Sequence, residues 1–158
     1  MLRFTTHESL NSSHFFITTL QDNICMLNFT KLDQEEMFFQ HDYLQENVFE
    51  LTVAKATANK ENCGKGLAPT IKSIFDTFLA EREETVVYVS MEENSSKYHL
   101  VTRYINNEVD PNYKMLLFKA DNKAFFFFFN EHKTSTVEVI VGLTRYFKNE
   151  YGISFVNN

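Results

Sequence analysis

The most regular pattern of apolar and polar positions in this chain follows Pro69. Apolar residues recur there at i, i+3, i+4, i+7 and i+8, namely Ile71, Ile74, Phe75, Phe78 and Leu79. This spacing predicts a helix with one buried face, which starts near Leu67 and ends near Glu83. Extended apolar runs, Val48 to Ala56 and Thr85 to Met91, lie on either side of it. The pattern therefore predicts a strand, helix, strand crossover unit at the centre of an α/β fold.

Four other extended runs form two candidate hairpins. His14 to Leu20 and Asn23 to Lys31 are separated by a polar turn, and Tyr113 to Ala120 and Ala124 to Asn130 are separated by Asp121-Asn122. β-Branched and aromatic residues on both sides of a short polar turn are typical of antiparallel strand pairs. Most of the predicted sheet is therefore antiparallel.

Two further helices are predicted from their start and stop signals. Asn94 and Ser95 can cap the first, in which Tyr98, Val101, Thr102 and Ile105 share a face. Ser135-x-x-Glu138 has the form of a capping box before the second, in which Val137, Ile140, Val141, Thr144, Phe147 and Tyr151 recur, and Gly152 is its stop signal. Asp33 to Asn47 suits either a short helix or an ordered loop.

Length and composition indicate one domain over residues 1–158. The chain is 44% hydrophobic and has only 4 Gly and 2 Pro, which leaves little room for a flexible linker. We therefore predict a single α/β (α+β) domain with a mixed, mostly antiparallel sheet flanked by helices.

Charge and cysteine content narrow the classes of partner. The formal net charge is −6 and the basic residues are scattered, so we expect no nucleic-acid partner. Cys25 and Cys63 are read as two reduced thiols, with a disulfide as the alternative, and no metal site is predicted. The first residues lack an apolar signal region and the longest apolar run, Ala124 to Phe129, is too short to span a bilayer. We expect a cytoplasmic protein without a membrane partner.

The glycine-rich turn before the central helix is the main candidate for chemistry. Gly64 and Gly66 allow backbone angles that other residues avoid, and the first amides of the following helix have no partner within the helix. Such a terminus favours anions, and Lys65 adds a cation. The alternative is a turn that uses glycine for geometry alone.

The run Gly64-Lys65-Gly66-Leu67-Ala68-Pro69, between a strand and an amphipathic helix, resembles the pyrophosphate-binding motif of the GNAT superfamily of N-acetyltransferases. The resemblance implies coenzyme A or acetyl-CoA as cofactor, held by the backbone amides of Cys63, Gly64, Lys65, Gly66 and Leu67. Glu61 stands where that motif has Gln or Arg, and its charge would repel a pyrophosphate. A gap between the strands at Val48 and Val86, opening over the Gly64 turn, would support cofactor binding, whereas continuous pairing or a plugging side chain would oppose it.

The next unit carries the resemblance further. Asn94 and Leu100 match an Asn and a Leu of the superfamily, which makes Asn94 a further candidate for contacting the cofactor. Lys97 replaces an Ala, and Val101 replaces the Tyr that serves as general acid. Under this resemblance Glu50, on the preceding strand, is the candidate general base for deprotonating an amine. The alternative for Glu50 is an exposed strand residue.

The chain also resembles a small bacterial family known only as a domain of unknown function, with a degenerate acetyltransferase-like fold. The residues that carry this resemblance are Thr70-Ile71, Ile74-Phe75, Phe78 and Val87-Tyr88-Val89. It implies a trimmed acetyltransferase-like fold and no assigned activity. Glu61 and the missing Tyr at Val101 favour a binding or regulatory module that has lost the chemistry; the alternative is an acyl-CoA-dependent N-acyltransferase, and the sequence leaves open whether the protein is an enzyme. Phe125 to Phe129 is either a strand covered on both faces or the surface through which the protein dimerises or holds a protein partner.

Overall fold

The structure is a computed structural model that describes residues 1–32, 37, 39–55, 66–107 and 110–153. Its elements in chain order are β1 (Arg3–Glu8), β2 (Ser12–Thr18), β3 (Ile24–Lys31), α1 (Asp42–Asn47), β4 (Val48–Lys55), α2 (Leu67–Glu81), β5 (Val86–Glu92), α3 (Ser96–Asn107), β6 (Tyr113–Ala120), β7 (Lys123–Asn130) and α4 (Thr136–Tyr151). The predicted strands and helices are all present. Strand β1 was not predicted, because its side chains are all exposed and leave no buried period in the sequence.

The seven strands form one sheet in the order β1-β2-β3-β4-β5-β7-β6. Every neighbouring pair is antiparallel except β4 and β5, which are parallel and joined through α2. A parallel pair needs such a crossover because its strands begin at the same end of the sheet. The predicted mixed, mostly antiparallel sheet flanked by helices is confirmed.

Helices cover both faces of the sheet and create two apolar cores. On one face, α2 and α3 pack over the middle of the sheet, with Phe78 stacked on Phe29 of β3 at 3.9 Å between ring centres. On the other face, α1 and α4 pack over β5, β7 and β6, with Phe147 stacked on Phe118 at 4.2 Å. Alternate residues of each central strand therefore enter different cores.

The phenylalanine run Phe125–Phe129 lies in β7, between β5 and β6. All five side chains are at most 5% exposed; Phe126 and Phe128 enter the core under α2 and α3, and the other three enter the core under α4. The run is thus a strand covered on both faces, the first of the two alternatives. A dimer or protein partner could not reach it while the helices stay in place.

Helix α4 begins and ends where the sequence predicts, but its buried face differs from the predicted set. The buried residues are Val139, Gly142, Leu143 and Phe147, whereas Val137 is 70% exposed. The predicted capping box does not form either, because Ser135 makes no side-chain cap bond and Glu138 contacts His41 on α1 instead. Packing of α1 against α4 decides this rotation, and the helix sequence by itself has apolar residues on more than one face.

Two predicted turn signals are confirmed. Gly152 ends α4 in the left-handed conformation, with φ at 66°, and its N–H donates to the carbonyls of Phe147 and Lys148. Asp121 and Asn122 both have positive φ, 53° and 62°, as a tight hairpin turn between β6 and β7 requires. Within the part of the chain that the structure describes, none of the helices is long and apolar enough to cross a bilayer.

Candidate functional site

The central parallel pair of the sheet separates soon after it forms. β4 and β5 pair only at Val48 with Val86, Phe49 with Val87 and Glu50 with Tyr88, although β4 continues to Lys55 and β5 to Glu92. Their outer partners stay attached, since β3 pairs with β4 as far as Lys55 and β7 pairs with β5 as far as Glu92. The sheet is therefore split along one line, and the split opens toward the start of α2.

A cavity of about 480 Å³ lies on the α2 and α3 side of this split. That volume is in the range of small-molecule and cofactor sites. Its wall contains nine apolar side chains, one tyrosine and two lysines: Leu51, Val53, Leu67, Ala68, Ile71, Phe75, Val89, Val101, Phe128, Tyr104, Lys72 and Lys97. The residues from β4 and β5 all lie past the last β4–β5 pair, so the divergence of the strands is what leaves room for the cavity.

The first turn of α2 forms one end of the cavity. Gly66 is the N-cap residue, with φ at 93°, a left-handed angle that a side chain would strain. Its carbonyl accepts hydrogen bonds from the N–H of Thr70 at 3.2 Å and from Oγ1 of Thr70 at 2.7 Å. Glycine at this place therefore has the backbone role that the sequence predicts, and Leu67 begins the helix as a wall of the cavity.

The two lysines of the cavity have different surroundings. Lys72 Nζ lies 2.7 Å from Oδ2 of Asp76, one helical turn later on α2. Lys97 Nζ, from the first turn of α3, donates a 3.2 Å hydrogen bond to the carbonyl of Ser90, which lies two residues past the last β4–β5 pair. Lys97 is exposed overall, but partial burial lowers the pKa of its amine, and the negative charge of Glu50 only partly opposes that shift. Lys97 thus places an amine with weakened proton affinity at the split.

Val101 faces the cavity from α3. The GNAT resemblance implies a tyrosine that serves as general acid at this position. Valine faces the cavity there but has no ionisable group. Tyr104, one turn later, also lines the cavity, and its ring meets Phe75 edge to face at 6.2 Å between centres.

Glu50 belongs to the other side of the sheet. Leu51 and Val53 of β4 line the cavity, and strand alternation turns the half-buried Glu50 to the opposite face, opposite Tyr88 of β5. Burial raises the pKa of Tyr88 well above its usual value, and the charge of Glu50 adds to that rise. Glu50 therefore acts electrostatically on Tyr88 and Lys97 across the split, and it is not part of the cavity wall.

The other predicted site residues are distributed as follows. Four residues of the predicted pyrophosphate loop region lie outside the described residues: Glu61, Cys63, Gly64 and Lys65. The alternative of a disulfide between Cys25 and Cys63 therefore also lies partly outside them. Asn94 is exposed in the left-handed turn before α3, with φ at 65°, and does not line the cavity. Ser95 is the residue that caps α3, since its Oγ accepts the N–H of Tyr98 at 3.2 Å.

Lys97 lines the cavity, although the sequence does not predict it as a site residue. In the sequence, Lys97 is only a departure from the Ala of the GNAT pattern. In the structure, its Nζ reaches the carbonyl of Ser90 at the split. The sequence feature that could have indicated Lys97 is a long cationic side chain in the first turn of the helix that follows a buried strand. The partner, Ser90, could be found only once the strands were placed.

A second, polar groove lies on the other face, between α1 and α4. His41 Nε2 is 2.9 Å from Oε2 of Glu138, and the hydroxyl of Tyr43 accepts the N–H of Ser135 at 3.0 Å. Burial raises the pKa of Tyr43, which keeps its hydroxyl protonated. Among the described residues no group of three His, Cys, Asp or Glu side chains is arranged to hold a metal ion, and these contacts tie α1 to α4.

No family model, curated protein or solved structure matches this chain.

Proposed function

We propose that this protein is a binding or regulatory module that holds an acyl thioester of the coenzyme A class in the cavity between β4 and β5. One observation carries the proposal: the parallel strands separate after three residue pairs, and an apolar cavity of about 480 Å³ opens beside the start of α2. A gap between these two strands beside the glycine turn is the observation that supports a cofactor site under the GNAT resemblance. An apolar wall with few polar groups suits the acyl chain and pantetheine arm of such a ligand.

The start of α2 supports the same ligand. The helix N-terminus favours a negative group, and the left-handed Gly66 lets the chain turn into it without strain. The pyrophosphate would lie near this end, where Gly66 and Leu67 of the predicted loop belong to the described residues.

Binding without catalysis is favoured over the alternative, an N-acyltransferase. Val101 supplies no acid to the cavity, and Glu50, the candidate base, is on the opposite face of the sheet. A transferase would need both functions close to the thioester. A homodimer remains a prediction, and because Phe125–Phe129 is covered by the helices, any dimer would use another surface.

Calorimetry with coenzyme A and with acetyl-CoA tests the proposal. Both should bind, and Val101→Trp, which fills the cavity, should weaken binding by at least about tenfold. Val137→Trp is the matched control, because Val137 is 70% exposed on α4, on the other side of the sheet. The absence of heat at millimolar ligand, or equal effects of the two substitutions, would overturn the proposal.

A turnover assay separates the two functions. With acetyl-CoA and small amines in excess, the binding module releases no more than about one equivalent of free coenzyme A per protein chain. Continued release that depends on the amine would establish the transferase instead.

A further inference from the structure

Lys97 combines three properties that are relevant to a bound thioester. It lines the apolar cavity, its Nζ sits where β4 and β5 part, and its hydrogen bond goes to a main-chain carbonyl rather than to a carboxylate. Lys72, the other lysine of the cavity, is held in an ion pair with Asp76 at 2.7 Å. The two lysines therefore differ in how readily they can present a neutral amine.

We propose that Lys97 is acylated by the thioester bound in the cavity, so that the protein modifies itself once and stops. This inference rests on the proposed function, because the cavity must first hold the acyl thioester. It adds a modification site, a reaction and an end state to simple binding.

The reaction needs no group besides the amine and the thioester. The neutral nitrogen of Lys97 attacks the thioester carbonyl carbon, a carbon–nitrogen bond forms, and the carbon–sulfur bond breaks. The thiolate leaves with the electron pair of that bond, and the proton lost by the nitrogen converts it to the free thiol. The products are an amide on Lys97 and coenzyme A, with no oxidant or reductant.

The surroundings of Lys97 favour this step. Lys97 is an exposed residue whose amine is partly desolvated, and this desolvation lowers its pKa and so raises the neutral fraction of the amine. A thioester held in the cavity would meet that amine repeatedly at short range, which replaces a bimolecular encounter by an intramolecular one. The acyl group would then lie against Val89 and Val101. Acylation would also remove the positive charge of Lys97 near Glu50.

Peptide mass spectrometry after incubation of the full chain with acetyl-CoA tests this inference. Lys97 should gain an acetyl group at least about tenfold faster than Lys148, an exposed lysine in the last turn of α4. Lys97→Arg should abolish the fast modification, and Val101→Trp should slow it, whereas Lys148→Arg and Val137→Trp should leave the rate at Lys97 unchanged.

Parallel calorimetry with coenzyme A keeps the two ideas separable. Binding without faster modification of Lys97 would overturn self-acylation and leave the proposed function standing. No binding, together with equal modification of Lys97 and Lys148, would overturn both. Equal selectivity for Lys97 with acetyl phosphate, which lacks the coenzyme A body, would assign the modification to amine reactivity alone and overturn the role of the bound thioester.

Discussion

The main-chain N–H of Leu2 donates a 2.9 Å hydrogen bond to Oγ1 of Thr70, although 68 residues separate them in the sequence. Thr70 is fully buried, and its hydroxyl in turn donates to the carbonyl of Gly66. The side chain of Leu2 also lies 3.3 Å from the place where a Cβ of Gly66 would be. The beginning of the chain thus fixes the first turn of α2, at the end of the candidate cavity.

Thr70→Val should therefore destabilise the protein. Valine keeps the shape but leaves the buried N–H of Leu2 without its acceptor, which costs about 1–3 kcal/mol. Urea unfolding followed by circular dichroism measures the change. Thr77→Val, on an exposed position of the same helix, is the control and should stay within about 0.5 kcal/mol of wild type; an equal loss in both variants would refute the role of the bond.

Gly142 allows α4 to approach α1 closely. A Cβ at this position would lie 2.6 Å from Cδ1 of Leu44, which is fully buried. We expect Gly142→Ala to cost about 1–3 kcal/mol by overpacking, reduced by about 1 kcal/mol that alanine gains in a helix. Leu44→Ala alone should cost about 2–5 kcal/mol through the cavity it leaves.

The double variant of Gly142 and Leu44 tests whether this contact is the cause. The methyl group added at 142 would occupy space vacated at 44, so the double variant should lose less stability than the two single variants added together. Denaturant unfolding of all four proteins gives the coupling free energy. Strict additivity would show that Gly142 is not limited by Leu44.

Phe127→Asp should unfold the protein. Phe127 is fully buried in β7, between the rings of Tyr88 and Phe147, so the substitution would bury a carboxylate without a partner. We expect the free energy of unfolding to fall by at least about 4 kcal/mol. Val137→Asp, at an exposed position of α4, should change it by no more than about 0.5 kcal/mol. Circular dichroism and sedimentation velocity measure both; a folded Phe127→Asp variant with a reduced oligomeric state would make this strand an interface after all.

Stability should decline at alkaline pH. Burial raises the pKa of Tyr113 from 10.0 to about 12, and the nearby charge of Asp76 adds to that rise. The folded state therefore keeps the phenol proton more tightly than the unfolded state does, so the contribution to stability is complete below pH 10 and is lost as pH rises toward 12.

Replacing single tyrosines by phenylalanine tests which side chains cause this alkaline loss of stability. Burial also raises the pKa of Tyr146 to about 12. Tyr113→Phe and Tyr146→Phe should each flatten the fall in unfolding free energy between pH 10 and 12, measured by urea titrations at fixed pH values. An unchanged slope in both variants would contradict the raised pKa values.

The sequence predicted the elements with a strong local pattern. The apolar period from Ile71 to Leu79 predicted α2, and the turn at Asp121 and Asn122 predicted the β6–β7 hairpin, because periodicity and turn chemistry are local properties. The exposed strand β1 escaped prediction because it buries no alternating face.

The candidate site is likewise only partly predictable from the sequence. A glycine with a special backbone angle before α2 was predictable from the sequence, and Gly66 has that angle. The separation of β4 from β5 after Glu50 and Tyr88, the cavity beside it and the reach of Lys97 to Ser90 depend on residues far apart in the chain. No local pattern encodes such distances.

Apart from β1 and the open choice at α1, the sequence by itself thus determined the kinds of element, their order and the mixed sheet, since each follows from local spacing of apolar residues and turns. Tertiary structure alone decided which face of α4 is buried and that Phe125–Phe129 is core, because helix packing chooses among several apolar faces. It also decided that Lys97 lines the cavity while Glu50 lies on the opposite face of the sheet, because strand alternation and the parting of two paired strands set those positions.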